Sequence, residues 1–315
     1  MPSASTPNVF DDCWFLTGPT GGGKTEIALS LAERLDAEIV SMDSMAVYRY
    51  MDIGTAKPTP EEQRQLPHHL IDVVNPDEMY SLARYLDDAK QIVSQIRGRG
   101  KEVLFVGGTP LYLKGLLRGI FEGPEADPEL RESLRQVAET SEPGELHRRL
   151  QKIDPASAER LHPNDTRRLI RAIEVFEKTG SPISKFQEQF EHGRPAEACH
   201  VFVLNWDRET IYDRINRRVD TMLEKGLLDE VRQLREKFPK LSHTATQGVG
   251  YREMLDFLDG KLPDLATTAE LIKQNTRRFA KRQYTWFRSL TESRFLDVAE
   301  PLNVPEIVSK FFDRC

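Results

Sequence analysis

Eight residues, Gly18-Pro19-Thr20-Gly21-Gly22-Gly23-Lys24-Thr25, constrain the fold of this chain more than any other stretch. They follow the short apolar run Trp14-Phe15-Leu16 and lead into Glu26-Ile27-Ala28-Leu29-Ser30-Leu31-Ala32, whose apolar residues recur at helical spacing. Strand, glycine-rich turn and helix start are the setting in which the pattern G-x-x-x-x-G-K-S/T forms a phosphate cradle. Glycines let the backbone turn tightly enough for several N–H groups to point at one spot. The helix N-terminus adds unpaired donors and the positive end of its dipole. Lys24 supplies a cation for the outer phosphate oxygens, and Thr25 a hydroxyl for Mg2+. The stretch predicts a site for a diphosphate or triphosphate and leaves open which one, and what becomes of it.

The strands that follow set the architecture. Glu38-Ile39-Val40-Ser41-Met42 reads as a strand ending at Asp43-Ser44, and Lys101 to Val106 as another ending at Gly107-Gly108-Thr109. Between them, Ser81 to Gly98 has Leu82, Tyr85, Leu86, Ala89 and Ile92 on one helical face. Strands alternating with helices after a phosphate loop predict an α/β fold, a P-loop NTPase-like parallel sheet covered on both faces. Ligands of such sheets sit at the carboxyl ends of the strands, which puts Asp43 and Thr109 on the same rim as Lys24. Asp43 can hold magnesium, accept a proton from a nucleophile, or simply cap a turn. The strand that ends in Gly-Gly-Thr offers no second acidic group of the kind an ATPase uses. Leu70 to Val74 reads as a short strand, and the adjacent His68 and His69 face opposite ways on it, which argues against a shared metal. Asp52-Ile53-Gly54-Thr55-Ala56-Lys57-Pro58 has the composition of a surface loop.

Beyond Phe121-Glu122-Gly123-Pro124 the pattern changes to short helices without strands, with a helix start at Pro128 and a helical piece at Glu145 to Gln151. Arg167-Arg168-Leu169-Ile170-Arg171 opens an amphipathic helix with a basic edge. We take 120–200 as an inserted all-helical domain and 1–119 with 201–315 as the α/β core, to which a strand at Val201-Phe202-Val203-Leu204 returns the chain. Arg208 to Lys225 mixes Arg214, Arg217 and Arg218 with acidic residues and reads as a solvated helix. Gln247-Gly248-Val249-Gly250-Tyr251-Arg252 brings two glycines up to a helix start, where Arg252 can reach an anion. Lys273, Arg277, Arg278, Lys281, Arg282 and Arg288 run without an acidic residue between them, interleaved with aromatics, and Lys273, Arg277 and Lys281 are spaced to line one face.

Composition narrows the partners. The 315 residues carry 44 Lys and Arg against 50 Asp and Glu, a net charge of −6, so a nucleic-acid partner has to be held by local patches such as that stripe. No apolar stretch is long enough to cross a membrane. The first residues from Met1 lack the features of a signal peptide, and Cys13, Cys199 and Cys315 are few, odd in number and far apart. These features predict a cytoplasmic protein, and no interface signal speaks against a monomer.

Taken together, the segments resemble the tRNA dimethylallyltransferase family. The resemblance is carried by the phosphate loop, Ser41-Met42-Asp43-Ser44 with Val47-Tyr48, Met51 to Pro58, and Val106-Gly107-Gly108-Thr109. It continues through His162-Pro163-Asn164-Asp165, Val249-Gly250-Tyr251-Arg252 and Arg278-Phe279-Ala280-Lys281-Arg282-Gln283. They occur in the family's order from residue 15 to about 290. The string M-D-I-G-T-A-K-P and the V-G-Y-R are specific; the phosphate loop alone is not. Gly21-Gly22-Gly23 stands where many members have Ala-Ser-Gly, a change that keeps the backbone cradle. The zinc-finger extension of eukaryotic members is absent, so the likeness is to the bacterial type.

The resemblance implies that the loop grips dimethylallyl diphosphate and hydrolyses no ATP. An adenosine amine in the tRNA anticodon loop attacks the allylic carbon, and pyrophosphate leaves. On that basis Asp43 accepts the amine proton, Lys24 and Arg252 stabilise the departing pyrophosphate, Thr109 bonds near the bridging oxygen, and Thr25 helps place Mg2+. The tRNA contacts it implies are Asp43, Ser44, Met45 and Ala46; Thr109 and Arg131; Arg167, Arg168, Leu169, Ile170 and Arg171; Gln247 to Arg252; and Lys273, Arg277, Arg278, Lys281 and Arg282. The insertion would clamp the anticodon stem. Three alternatives differ in what they leave unexplained. A small-molecule kinase needs no basic helix, a prenyltransferase for free adenine nucleotides needs neither that helix nor the Arg167–Arg171 edge, and a non-catalytic tRNA binder gives Lys24, Asp43 and Arg252 no joint purpose.

Overall fold

A computed structural model of the chain describes residues 8–121, 123–187 and 193–313. Met1, Glu122 and Cys315, each used in a reading above, lie outside them. The chain divides into two compact units, one of 1–117 with 193–315 and one of 118–192.

The first unit is built on six parallel strands in the order β3-β2-β4-β1-β5-β6. They are β1 (Trp14–Thr17), β2 (Ala37–Ser41), β3 (His68–His69), β4 (Glu102–Gly107), β5 (His200–Trp206) and β6 (Ser293–Val298). All five residues of β2 are buried, as are all but the first of β1, the pattern of strands covered on both faces. β1 lies between β4 and β5, with Thr17 opposite both Gly107 and Val203. The ends of β1 and β4 are therefore level. On one face the helix Lys24–Leu35 buries Ile27, Ala28, Leu31 and Ala32 in a core shared with Phe202, Leu204 and Phe311. The long helix Leu265–Arg288 contributes Ala280 to the same core.

One strand falls elsewhere than its apolar run predicts. β3 is His68–His69, and Leu70 and Asp72 take positive φ, 59° and 55°, so Leu70 to Val74 bends instead of extending. The two histidines do diverge. His69 Nε2 meets Glu38 Oε2 at 2.6 Å, while His68 Nδ1 meets the Leu66 carbonyl at 2.8 Å. Among the described residues no group of three or more His, Cys, Asp or Glu side chains is gathered for a metal ion.

The second unit is helical: Pro128–Thr140, Glu145–Ile153, Pro155–Arg160, Thr166–Thr179 and Ile183–Gln187. Prolines open the first and third helices behind the caps Asp127 and Asp154. Leu134, Leu146, Leu150, Leu169, Ile170 and Ile173 pack its core. Within it, fully buried Glu174 binds both Arg131, through two hydrogen bonds of 2.8 Å, and Arg171, at 2.6 Å. Burial alone would raise the Glu174 carboxyl. The Arg131 and Arg171 hydrogen bonds and the Asp127 N–H outweigh it and bring the pKa down to about 2.

Candidate active site

The carboxyl ends of β1, β2 and β4 open onto a cavity of about 1000 Å³ in the first unit. Its lining includes Thr20 to Thr25, Asp43 to Ala46, Gly107 to Thr109, Gln247, Gly248, Val249, Arg252, Arg278 and Arg282.

The loop is held in shape by its own lysine and by side chains far along the chain. Lys24 Nζ donates to the carbonyls of Gly18 and Pro19, at 3.1 and 2.8 Å. Burial, and then the neighbouring Arg218 cation, lower the Lys24 pKa to about 8, against the opposing pull of Asp43. Trp206 Nε1 donates to the Gly22 carbonyl at 3.1 Å and Arg214 Nε to that of Gly21 at 2.9 Å. Gln283 accepts from the Thr20 N–H at 3.0 Å and donates to the Gly108 carbonyl at 2.5 Å. That side chain ties the phosphate loop to the turn after β4.

The same turn passes tightly beside the end of β2. A Cβ on Gly107 would stand 2.0 Å from the Met42 carbonyl oxygen, so only glycine fits. Thr109 Oγ1 accepts from the Ser44 N–H at 3.0 Å. Asp43 Oδ1 accepts from the backbone N–H of Met45 and Ala46, at 2.8 and 3.3 Å. Asp43 thus does cap a turn, but with one oxygen, and the residue still lines the cavity. Thr25 lines it as well, and among the described residues its hydroxyl makes no hydrogen bond to protein. Mg2+ takes few protein oxygens and keeps waters and phosphate oxygens, so a hydroxyl with no protein partner in a phosphate loop suits it.

Arg252 reaches the rim from the start of the helix Tyr251–Leu258. Its Nη2 donates to Glu253 Oε1 at 2.8 Å, and Asn275 Nδ2 donates to the same oxygen, also at 2.8 Å. Glu253 is 1% exposed, and its other oxygen accepts from the Gly250 N–H at 2.8 Å.

Some expected contacts lie elsewhere. Tyr251 is buried with its hydroxyl on Glu230, and Gly250 is buried, so neither lines the cavity. The basic stripe splits between two faces. Lys273 pairs with Asp220 at 2.8 Å, and Arg277 donates to Asn216 at 2.5 Å, both on the helix Arg208–Glu224. Arg278 and Arg282 face the cavity, and Lys281 is exposed outside it. In the second unit Leu169 and Ile170 are 1% and 6% exposed, packed into the core, which corrects the expectation that Arg167–Arg171 contacts RNA throughout. Arg167 and Arg168 are its exposed members.

The sequence reading missed other residues. Arg214, Arg217 and Arg218, read as part of a solvated helix, line the cavity, and burial lowers the Arg218 pKa although Asp43 opposes it. Their spacing puts Arg214 and Arg218 four apart on one helix face, a signal masked by Asp213 and Asp220 on either side. Glu300 joins Arg214 and Arg217, at 2.9 and 3.1 Å. The Asp52–Pro58 loop is organised by Glu230, which accepts from the N–H groups of Asp52, Ile53 and Gly54. Gly54 sits against the Tyr251 ring, where a Cβ would be 2.5 Å from a ring carbon. Lys57, whose side chain is 4% exposed, donates to the Tyr48 carbonyl and to Asp52 and Asp72, each at 2.6 Å.

Fold and site define a P-loop α/β protein with a cation-lined cavity suited to a phosphorylated ligand. Residues 46–290 match the family model described as IPP transferase, and the chain belongs to that family. It is 47% identical over 271 residues to the tRNA dimethylallyltransferase of Thermotoga neapolitana, covering 86% of this chain and 87% of that one. Its identity to the enzyme of that name from Pelotomaculum thermopropionicum is 44% over 314 residues, covering 99% and 98%. Among solved structures, the full-length tRNA isopentenylpyrophosphate transferase of Bacillus halodurans superposes with a TM-score of 0.68 at 38% identity, covering 96% of each chain. A eukaryotic dimethylallyltransferase acting on tRNA superposes with a TM-score of 0.72 at 30% identity, over 90% of this chain and 73% of that one.

Proposed function

We propose that this chain transfers a dimethylallyl group from dimethylallyl diphosphate to the exocyclic amine of the adenosine 3′ to the anticodon in tRNA, releasing pyrophosphate. The observation that carries the reading is the convergence, in one cavity, of a phosphate loop, one strand-end carboxylate and arginines from three helices. The amine nitrogen forms a bond to the allylic carbon as the carbon–oxygen bond to the diphosphate breaks. Asp43 takes the amine proton, and Lys24, Arg218 and Arg252 receive the charge that develops on pyrophosphate. Thr109 is a donor for the bridging oxygen. Thr25 would help hold Mg2+, which would neutralise diphosphate charge when bound. An aromatic amine is a weak nucleophile, so positioning and leaving-group stabilisation supply most of the rate. The target base has to leave its stack, which costs least in a single-stranded loop. Arg278 and Arg282, with Arg167 and Arg168 of the helical unit, are the exposed cations for the RNA backbone. The reading extends to a cytoplasmic enzyme working as a monomer.

The test is prenyl transfer from labelled dimethylallyl diphosphate, with an anticodon stem-loop and AMP as parallel acceptors. Label on the stem-loop alone is expected. Label on AMP would make this a free-nucleotide enzyme, and label on neither would point to a kinase.

A further inference from the structure

Tyr50 holds a backbone conformation that its side chain disfavours. It is a bulky aromatic with φ of 65°, where Cβ crowds the neighbouring carbonyl and glycine is the residue at ease. Such strain persists where the surroundings enforce it, and it gathers at functional positions. Here it serves a ring that the fold leaves 44% exposed. Phe238 lies beside that ring, with centroids 5.8 Å apart and planes inclined at 44°. The Lys237 ammonium stands 3.9 Å over its centre.

Two observations connect this cluster to the cavity. Phe238 lines a second, open cavity of about 560 Å³ together with Gln247 and Arg252, which also line the first. The segment that carries Tyr50 runs on into Gly54 to Pro58, again part of the first cavity. The local charges are unequal in their commitments. Arg235 pairs with Asp259, and Lys261 pairs with Asp256 and Asp259. Among the described residues no carboxylate pairs with Lys237. Its charge is left over an aromatic face, where an unpaired base and its phosphate would find both a surface and a counter-ion.

We propose that Tyr50, flanked by Phe238 and Lys237, is a stacking platform for one unpaired base of the RNA substrate, next to the base that enters the first cavity. The inference rests on the reading that this cavity prenylates RNA. The platform supplies a π surface, Phe238 buttresses it, and Lys237 moves from the ring to the phosphate of the stacked nucleotide.

The experiment titrates an anticodon stem-loop carrying 2-aminopurine beside the acceptor adenosine into the parent protein, Tyr50→Gly, Tyr50→Phe and Lys237→Gln. Inorganic pyrophosphate affinity, melting temperature and sedimentation are measured alongside. Tyr50→Gly is expected to melt at or above the parent temperature, to hold pyrophosphate within about twofold, and to bind the RNA about tenfold more weakly without quenching the probe. Tyr50→Phe should keep the quench. Lys237→Gln, a change at an exposed side chain, should lower the salt slope of RNA binding by about 0.7. Parent-like RNA affinity and quench in Tyr50→Gly would overturn the platform. So would a change in self-association without a change in RNA binding, which would make a second copy the occupant. A parent protein that neither binds nor prenylates the stem-loop would overturn the reading of the cavity itself, before any variant is compared.

Discussion

Gln283 lies 263 residues from Thr20 in sequence and accepts its backbone N–H at 3.0 Å, while its amide nitrogen donates to the Gly108 carbonyl. Gln283 is 2% exposed, and removing its amide leaves the buried Gly108 carbonyl and the N–H of half-buried Thr20 without their partner. Each costs about 1–3 kcal/mol when left unpaired. Gln283→Leu is therefore expected to lose about 2–4 kcal/mol in urea unfolding and to bind pyrophosphate at least about tenfold more weakly. Parent-like pyrophosphate affinity in a destabilised variant would limit Gln283 to a structural part.

Lys24 couples the site to pH. Its folded pKa of about 8 lies below the ordinary 10.5, so between those values the unfolded chain holds a proton that the folded chain has lost. Stability then rises as pH increases from about 8 to 10.5, and below 8 the charged lysine is a cost of folding. Lys24→Met removes that cost together with the two bonds to the Gly18 and Pro19 carbonyls, so stability at pH 7 should change by no more than about 1 kcal/mol while pyrophosphate binding is lost. In the parent, pyrophosphate affinity should fall as pH passes about 8, with proton uptake on binding seen by calorimetry in two buffers. Flat affinity from pH 7 to 10 would contradict the lowered pKa.

The parts of the site that the sequence made legible are those built by neighbours in the chain. The phosphate loop, Asp43 at a strand end and Arg252 at a helix start each follow from a local pattern. The arginines of the helix Arg208–Glu224 were not legible, because alternating charge looks the same whether a helix faces water or a phosphate loop. Only the placement of β5 next to β1 brings Arg214 onto the Gly21 carbonyl. The Asp52–Pro58 loop has the composition of any surface turn, and its organiser, Glu230, lies 177 residues beyond Ile53. The strand at Leu70 to Val74 failed for a different reason. Its apolar residues are drawn inward through positive-φ turns, which periodicity does not register.

Arg252 is aimed by Glu253. The buried carboxylate holds the guanidinium, Asn275 and the Gly250 N–H together, and each of those bonds needs an acceptor oxygen, not a charge. Glu253→Gln keeps one acceptor oxygen, enough for Arg252 and Asn275, and gives up only the bond from the Gly250 N–H, so it should lose no more than about tenfold in kcat, whereas Glu253→Ala should lose about 100-fold with a smaller change in KM. If both variants behaved alike, hydrogen-bonded positioning of Arg252 would not be the role of Glu253.

Asp43 has separable duties, because Oδ1 caps the turn at Met45 and Ala46. Asp43→Asn can keep that cap while giving up the proton acceptor. Transfer should fall by at least about 100-fold with RNA affinity within a few-fold of the parent. Asp43→Ala should lose transfer too, and in addition about 1 kcal/mol of stability from the uncapped turn. Retained turnover in the asparagine variant would remove Asp43 as the base.

The basic helix gives a contrast between its two faces. Arg278 and Arg282 face the cavity, while Lys273 and Arg277 are engaged with Asp220 and Asn216. Log affinity for RNA falls with log salt in proportion to the phosphates neutralised, by about 0.7 per contact for single strands. Arg278→Gln and Arg282→Gln should each flatten that slope by about 0.7. Lys273→Gln should leave the slope unchanged and cost at most about 1 kcal/mol of stability, because it gives up a partly exposed ion pair. Binding of a stem-loop measured at several salt concentrations decides between the faces. A slope altered equally by Lys273→Gln and Arg278→Gln would mean that Lys273 leaves Asp220 for the RNA, and that the whole stripe acts as one surface.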